Sequence, residues 1–325
     1  MAVAATLDHQ RRFARLADTP LGLAPADLRA AMDPFVARVA PPGDAAWRAE
    51  VARKNATTGR RLRRRRVLGW LGVGRRGQDV IGAEYGASWT RKGLEPYAMG
   101  ERPAGGAAWT YAGETMFATA AAGARARLLL LMRAVAWLQP ASVLEVGAGN
   151  GVNLLVLACR FPDVRFAGVE LTAGGVAVAR AAQAEATLPA VLQRFSPEPL
   201  RDLAAHRRVD VRQATAAALP FADAAVELVY SCLALEQMEQ VRAAALAEMA
   251  RVTARHAVLL EPFADCNDTG LRRAYRIARD HFGGAVGDLP AHGLEPVVVT
   301  DDVPGEIWLQ PCLVVARRRA PVERA

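Results

Sequence analysis

Residues 143–153 read Val-Leu-Glu-Val-Gly-Ala-Gly-Asn-Gly-Val-Asn: an apolar run holding one acid, three glycines at alternate positions, and then the start of a helical pattern. Few architectures accept this string. The run Ser142–Val146 suits a strand covered on both faces. Glycines at 147, 149 and 151 let the chain reverse sharply and let a ligand approach the backbone with no Cβ in the way. Strand, glycine turn and helix in this order belong to an open parallel sheet, whose ligands sit at the carboxyl ends of the strands. The spacing is G-x-G-x-G. The dinucleotide fingerprint G-x-G-x-x-G needs glycine at 152, where Val152 stands, and this argues against NAD or FAD.

Downstream, short β-rich runs alternate with helical ones, as a parallel sheet with crossover helices requires. The pattern predicts strands at Ser142–Val146, Arg165–Glu170, Val209–Gln213, Val226–Ser231, His256–Glu261, Glu295–Thr300 and Cys312–Ala316. Helices are predicted at Asn150–Cys159, Ala173–Ala186, Gln237–Val252 and Thr269–His281. The longer piece between Ala186 and Val209, with Pro189, Pro197 and Pro199, is expected to carry a small helix over the active-site edge. Glu170 ends the second of these strands, 19 residues after Gly151. A carboxylate there can accept hydrogen bonds from both hydroxyls of a ribose and would repel a 2′-phosphate.

With these elements in place, residues 140–317 resemble the class I S-adenosylmethionine-dependent methyltransferases of the small-molecule type. The family's glycine motif matches Glu145–Gly151 and its ribose acid matches Glu170. Its Leu-Pro-Phe segment and fourth strand match Ala218–Asp223 and Val226–Ser231, and the helix before its fifth strand matches Ala247–Val252. The resemblance implies an α/β fold: a seven-stranded, mostly parallel Rossmann-like sheet with helices on both faces, spanning 140–319, preceded by a mainly helical and irregular N-terminal extension. It implies S-adenosylmethionine as cofactor. Glu145 would lie beside the amino end of the methionine part. Gly147, Ala148, Gly149 and Gly151 would pass under the cofactor, with Asn153 in the same group. Glu170 would hold the ribose and Leu171 would pack near the adenine. Many members carry an aspartate where Thr215 stands here, and Ala214, Thr215 and Ala216 occupy the adenine-contact positions. Ser231 and Cys232 would line the side that faces the substrate.

Methyl transfer from a sulfonium is an in-line displacement governed by alignment, desolvation and the protonation state of the nucleophile. A base is needed only for a hydroxyl or a protonated amine. Candidates at the strand ends are Glu236, Asp265 with its neighbour Asn267, and His281. Each also has an ordinary structural reading, Glu236 and Asp265 as helix caps and His281 as a residue favoured at a helix C-terminus. No metal is expected. The segment Tyr230–Glu236 lacks the Asn/Asp-Pro-Pro-aromatic motif of base-amino methylation, and the Pro-Cys pair falls in the last strand as Pro311-Cys312. Both lysines, Lys54 and Lys92, lie outside the fold, and Glu236 and Glu239 match a double-glutamate loop poorly. The expected reaction is methylation of an oxygen or nitrogen of a small molecule or biosynthetic intermediate. Methylation of a docked anionic macromolecule (glycan, lipid or RNA) and a non-catalytic partner protein that keeps the fold are the alternatives.

The net charge of +8 is not spread over the chain. Residues 48–76 carry eleven positive residues against Glu50, so this segment contributes +10 and the rest −2. The sequence therefore reads as an N-terminal extension (1–112) with a basic arm at 48–76, a linking helix over 113–139 (Glu114–Leu138), and the cofactor domain. A helix is predicted over Ala26–Val39. The run Arg60–Arg66 reads as a solvated arm, as a membrane-surface contact if Val67–Val73 inserts beside it, or as a dock for nucleic acid or an acidic glycan. Tyr85, Trp89, Trp109 and Tyr111 read either as a lid over the substrate or as the extension's own core, with the core expected for at least half of them. Cys159, Cys232, Cys266 and Cys312 form no C-x-x-C pair and read as reduced thiols of a cytoplasmic protein. Asp8 and His9 come too early for a signal peptide. No apolar run approaches the roughly 18 to 20 residues of a membrane span. A homo-oligomer is compatible with the sequence.

Overall fold

The computed structural model describes residues 13–70 and 78–319. Its strands in chain order are β1 (Val36–Ala40), β2 (Ala107–Tyr111), β3 (Glu114–Ala118), β4 (Ser142–Val146), β5 (Arg165–Glu170), β6 (Asp210–Gln213), β7 (Val226–Cys232), β8 (Thr253–Glu261), β9 (Leu294–Thr300), β10 (Gly305–Glu306) and β11 (Cys312–Arg318). The α-helices are α1 (Pro25–Met32), α2 (Ala45–Trp70), α3 (Gln78–Lys92), α4 (Ala120–Leu138), α5 (Val152–Arg160), α6 (Ala173–Ala184), α7 (Ala190–Phe195), α8 (Arg242–Val252) and α9 (Gly270–Arg279).

The main sheet has seven strands in the order β6-β5-β4-β7-β8-β11-β9; β11 runs antiparallel to both its neighbours, and the remaining pairs are parallel. The predicted strands are all present, within three residues of their expected ends. From β4 the chain moves outward through β5 and β6, then returns to β7 on the other side, so the strand order reverses between β4 and β7. A crevice opens at the carboxyl ends of the strands at such a reversal, and it is here that the glycine turn lies. β4 is buried at every position because it is covered on both sides. Val143 joins a core shared with α4, α5 and α6, while Leu144 and Val146 join a second core with α8.

The N-terminal region departs from the expectations. Residues 114–118 are not the start of a helix but strand β3, paired with β2 through a tight turn at Ala112 and Gly113, whose φ values of 49° and 79° fit a two-residue hairpin loop. The helix begins only at Ala120. Likewise the segment expected to be helical over Ala26–Val39 stops at Met32, passes through a 3-10 turn containing Pro34, and continues as β1. These strands build a second sheet, β1-β3-β2-β10, whose last strand comes from residues 305–306. Trp109 and Tyr111 are buried in it, the Trp109 Nε1 donating to Ala118 O at 3.1 Å.

The basic segment is helix α2, capped by Asp44, which accepts from Trp47 N at 2.7 Å. It lies along α9: the Arg65 guanidinium donates to Ile277 O and pairs with Asp280. Lys54 Nζ stands 3.1 Å above the Trp308 ring. Arg60, Arg61, Arg63, Arg64 and Arg66 face solvent. The reading of 48–76 as a free arm is thus corrected for residues 48–70, which lie on a packed helix. Part of the Val67–Val73 stretch, Arg75 and Arg76, and Asp8 and His9, lie outside the described residues. Among the described residues no helix is long and apolar enough to cross a membrane. The small helix expected between Ala186 and Val209 exists as α7. It packs through Phe195 on Phe35 and Tyr97, away from the cleft.

Arg125 ties these parts together. Its guanidinium donates to Phe195 O (2.9 Å), Ala31 O (2.9 Å) and Ser196 O (3.2 Å). Arg125→Ala leaves three partly buried carbonyls without their donor and is expected to cost roughly 3 kcal/mol, read as a lower midpoint in urea unfolding. A midpoint within error of the wild type would contradict this role.

Candidate functional site

At the reversal between β4 and β7 a cleft opens. Its floor is the glycine turn. Gly147 N and Ala148 N both donate to Val169 O at 2.9 Å, which locks the turn onto β5. Gly149 has a φ of 55°, and a Cβ there would meet Trp89 Cζ2 at 2.9 Å, so both backbone conformation and space require glycine. Gly151 serves a different purpose. A Cβ at 151 would lie 2.8 Å from Ala179 Cβ, so this glycine lets α5 approach α6 and does not border the cleft.

Glu170 is buried at the cleft edge. Its Oε2 accepts from Gly149 N (2.9 Å), and its Oε1 accepts from Thr172 N (2.9 Å) and Thr172 Oγ1 (2.7 Å). These bonds use three of the roughly four lone-pair sites of a carboxylate, leaving about one for a ligand hydroxyl. Leu171, Ala214 and Ala216 form an apolar slot beside it, as expected. Thr215 turns away and accepts from Ala217 N within its own turn. Ala148, Asn153, Ser231 and Cys232 also do not line this cleft, which is bordered after β7 by Leu233 and Ala234. Asn153 acts instead on Glu145, donating to Oε1 at 3.3 Å.

Glu145 itself is 2% exposed, and its Oε2 has no hydrogen-bond partner. Burial pushes its carboxyl up to about 8. The buried Tyr230 hydroxyl acts on this carboxyl, which, like Ala148 and Asn153, is not on the cleft lining; a carboxylate two residues before the glycine turn suits the ammonium end of S-adenosylmethionine, and the slot at Leu171, Ala214 and Ala216 fits an adenine. The donors and the space therefore suit the cofactor that the resemblance implies.

Sequence reasoning offered the extension's aromatics as a lid but missed the helix, α3, that carries two of them over the cleft. α3 lies across α6, close enough that a Cβ at Gly174 would sit 2.5 Å from Gly86 O, and Asn150 Nδ2 donates to Gly93 O at 3.0 Å just beyond α3. Tyr85 and Trp89 of this helix, their rings 6.4 Å apart, face into the cleft. The four extension aromatics thus divide evenly, Trp109 and Tyr111 in a core and Tyr85 and Trp89 over the site. Their spacing of four residues was the available signal, being one helix face.

The base candidates separate too. The helix expected from Gln237 begins at Arg242, after 3-10 turns at Leu235–Gln237 and Glu239–Val241, so Glu236 stands on a turn and not in a helix. Its Oε1 accepts from Gln237 Nε2 (3.0 Å), its Oε2 has no partner, and burial raises its pKa above the ordinary carboxylate value. Gln237 borders the cleft and also reaches His281, with Nε2 3.4 Å from the imidazole Nε2. Glu236 and His281 are thus brought together through Gln237. Asp265 is elsewhere, its Oδ2 accepting from Val286 N at 2.8 Å, and Asn267 bridges Phe263 O and Gln310. Glu261, which the sequence did not single out, ends β8 fully buried. It accepts from Ala234 N (2.9 Å) and Leu235 N (3.1 Å), fixing the turn that borders the cleft.

Two measurements test this geometry. Glu145 is protonated in the ligand-free protein at about pH 7 and must ionise to receive an ammonium group. Affinity for S-adenosylhomocysteine is therefore expected to rise with pH between about 6 and 8, by up to about tenfold per unit, with a proton released on binding. Calorimetry in buffers of different ionisation heat reads that proton, and Glu145→Gln removes the dependence; a slope kept in the variant contradicts the assignment. Trp89→Ala is expected to weaken the same ligand about tenfold, roughly 1.4 kcal/mol. Unchanged affinity would place α3 outside the site.

Comparison with known proteins gives one family match and several similar solved structures. Residues 144–260 match the protein family described as "Methyltransferase domain". No curated protein matches the chain. Among solved structures, magnesium protoporphyrin IX methyltransferase from Synechocystis PCC 6803, with bound S-adenosylhomocysteine, is similar at 12% identity; the match covers 74% of this chain and 100% of that one, with a TM-score of 0.48. The [4+2]-cyclase SpnF is similar at 16% identity over 74% of this chain and 96% of its own, TM-score 0.47. The YcgJ protein from Bacillus subtilis is similar at 17% over 59% and 98%, TM-score 0.42. The domain that residues 144–260 mark out belongs to the class I S-adenosylmethionine-dependent methyltransferases, and S-adenosylmethionine is its cofactor.

Proposed function

We propose that this enzyme methylates an oxygen or nitrogen of a small-molecule acceptor held beside Glu236. The observation that carries this reading is the position of Gln237, which borders the cofactor cleft with one side and holds the Glu236 carboxylate with its amide. S-adenosylmethionine, when bound, supplies a sulfonium-activated methyl group. The chain's residues do the rest. Glu145, Glu170 and the glycine turn fix the two ends of the cofactor, while Tyr85 and Trp89 keep water from its open side. Glu236 Oε2 takes the proton of a hydroxyl acceptor as its oxygen bonds to the methyl carbon, or first takes the proton of an ammonium acceptor and so frees the lone pair that attacks; the carbon–sulfur bond breaks with its electrons on sulfur, and the thioether leaves. A carboxylate raised by burial is a stronger base than one in water, which suits this task near neutrality. His281, reached through Gln237, acts as a positioning residue. Lys54 and Arg65 are engaged within the fold, and this favours an enclosed acceptor over a macromolecule spread along α2.

Titration with S-adenosylmethionine and S-adenosylhomocysteine, with NAD as control, tests the reading first. Micromolar binding of the adenosyl ligands alone is expected, and silence of both would overturn it. A labelled-methyl screen of hydroxyl and amine compounds then supplies an acceptor. On that acceptor Glu236→Gln is expected to lower kcat by about 10²- to 10⁴-fold with the cofactor affinity unchanged. A kcat equal to wild type would remove Glu236 from the role.

A further inference from the structure

The arginine run of α2 has no part in the cofactor site. Its residues divide by helical phase. Lys54, Thr58, Leu62 and Arg65 recur at the four- and three-residue spacing of one face and turn inward, Lys54 reaching Trp308 and Arg65 reaching α9. Arg53, Ala56, Arg60, Arg63, Arg64 and Val67 make the opposite stripe, and all six are exposed. Arg53 is paired with Glu50. Among the described residues no acid pairs with Arg60, Arg63, Arg64 or Arg66, and residues 51–70 contain no aspartate or glutamate. Like charges three and four residues apart weaken a helix. The helix dipole does not account for them either, since the last turn of α2 holds no basic residue.

Aliphatic side chains stand among these charges. Val67, 58% exposed, is the most exposed large hydrophobic residue among those described. Ile277 of α9, whose carbonyl oxygen accepts from Arg65, is another, and Arg273 one turn before it is exposed as well. A surface for nucleic acid sets its arginines beside aromatic rings or amides that stack on or read the bases, and the stripe holds neither. A bilayer surface calls for a convex row of cations with an aliphatic side chain able to enter the headgroup boundary, which is what α2 presents.

We infer that the outer stripe of α2 docks the protein on a bilayer containing anionic phospholipid, with Arg60, Arg63, Arg64 and Arg66 meeting the phosphates and Val67 entering the headgroup layer. Neither the methyl acceptor nor Glu236 enters into this docking.

Co-sedimentation of the full chain with vesicles tests it at roughly 0.1 M salt, comparing phosphatidylcholine alone with phosphatidylcholine holding about one third phosphatidylglycerol. Binding to the anionic vesicles is expected to be at least about tenfold tighter and to fall as salt is raised. One arginine near such a surface contributes about fivefold in affinity, so Arg60→Gln, Arg63→Gln, Arg64→Gln and Arg66→Gln combined are expected to lower it at least about a hundredfold. Glutamine keeps the helix propensity, and a urea midpoint no lower than that of the wild type shows the variant folded. Val67→Ser is expected to weaken vesicle binding about fivefold. Equal binding of the two vesicles, sedimentation with neither, or a combined variant or Val67→Ser that binds as the wild type overturns the inference. So does a single-stranded RNA oligonucleotide that strips the protein from the anionic vesicles at equal phosphate concentration, because the arginines then serve nucleic acid.

Discussion

Carboxylates end three strands of the main sheet, Glu145 next to the end of β4, Glu170 on β5 and Glu261 on β8, and all three are withdrawn from water. Withdrawing an acid costs several kcal/mol unless its oxygens find donors, so these positions govern how the surrounding loops can run. Glu170 draws the glycine turn and the start of α6 together through Gly149 and Thr172. Glu261 draws the 233–235 turn over β8 through two backbone N–H groups. Leu233 adopts a φ of 51° there, a conformation that leucine rarely takes and that the neighbouring bonds impose. Glu145 differs in being engaged by side chains, Asn153 and Tyr230, and not by backbone N–H groups of a loop. Glu170 and Glu261 thus shape the cleft through the backbone they hold.

The same logic extends outward. The cleft floor is rigid because its backbone groups are tied to β5, whereas its roof comes from α3 and touches the floor through an indole and through glycines. A floor fixed by hydrogen bonds and a roof held by packing respond differently to a ligand. Dispersion contacts can be exchanged for contacts with an entering purine at little net cost, while the floor's hydrogen bonds stay made.

What the sequence disclosed follows from range. The β4 to α5 segment was legible because its signals are local: an apolar run, an acid and glycines whose need for positive φ or close approach is written in neighbouring residues. The strands downstream were legible for the same reason. The boundary of α8 was misplaced because Leu235–Val241 has helical composition, yet the bonds from Glu261 hold its start in a different course. The N-terminal region was largely illegible. Residues 114–118 have no helix breaker, and their strand state is fixed by partners at 36–40 and 107–111. Ala112-Gly113 is a weaker hairpin signal than Asn-Gly. Gly151 shows the converse, a motif residue correctly found whose physical reason is helix packing rather than ligand approach.

The second sheet ties together parts of the chain that are far apart in order of synthesis. β2 leaves its outer edge to Gly305 and Glu306, and Ile307 N donates to Ala108 O beside them. A nascent chain carrying β1, β2 and β3 therefore waits for almost two hundred further residues before that edge is covered. The edge of the N-terminal sheet is therefore completed only by a piece of chain made near the end of the cofactor domain.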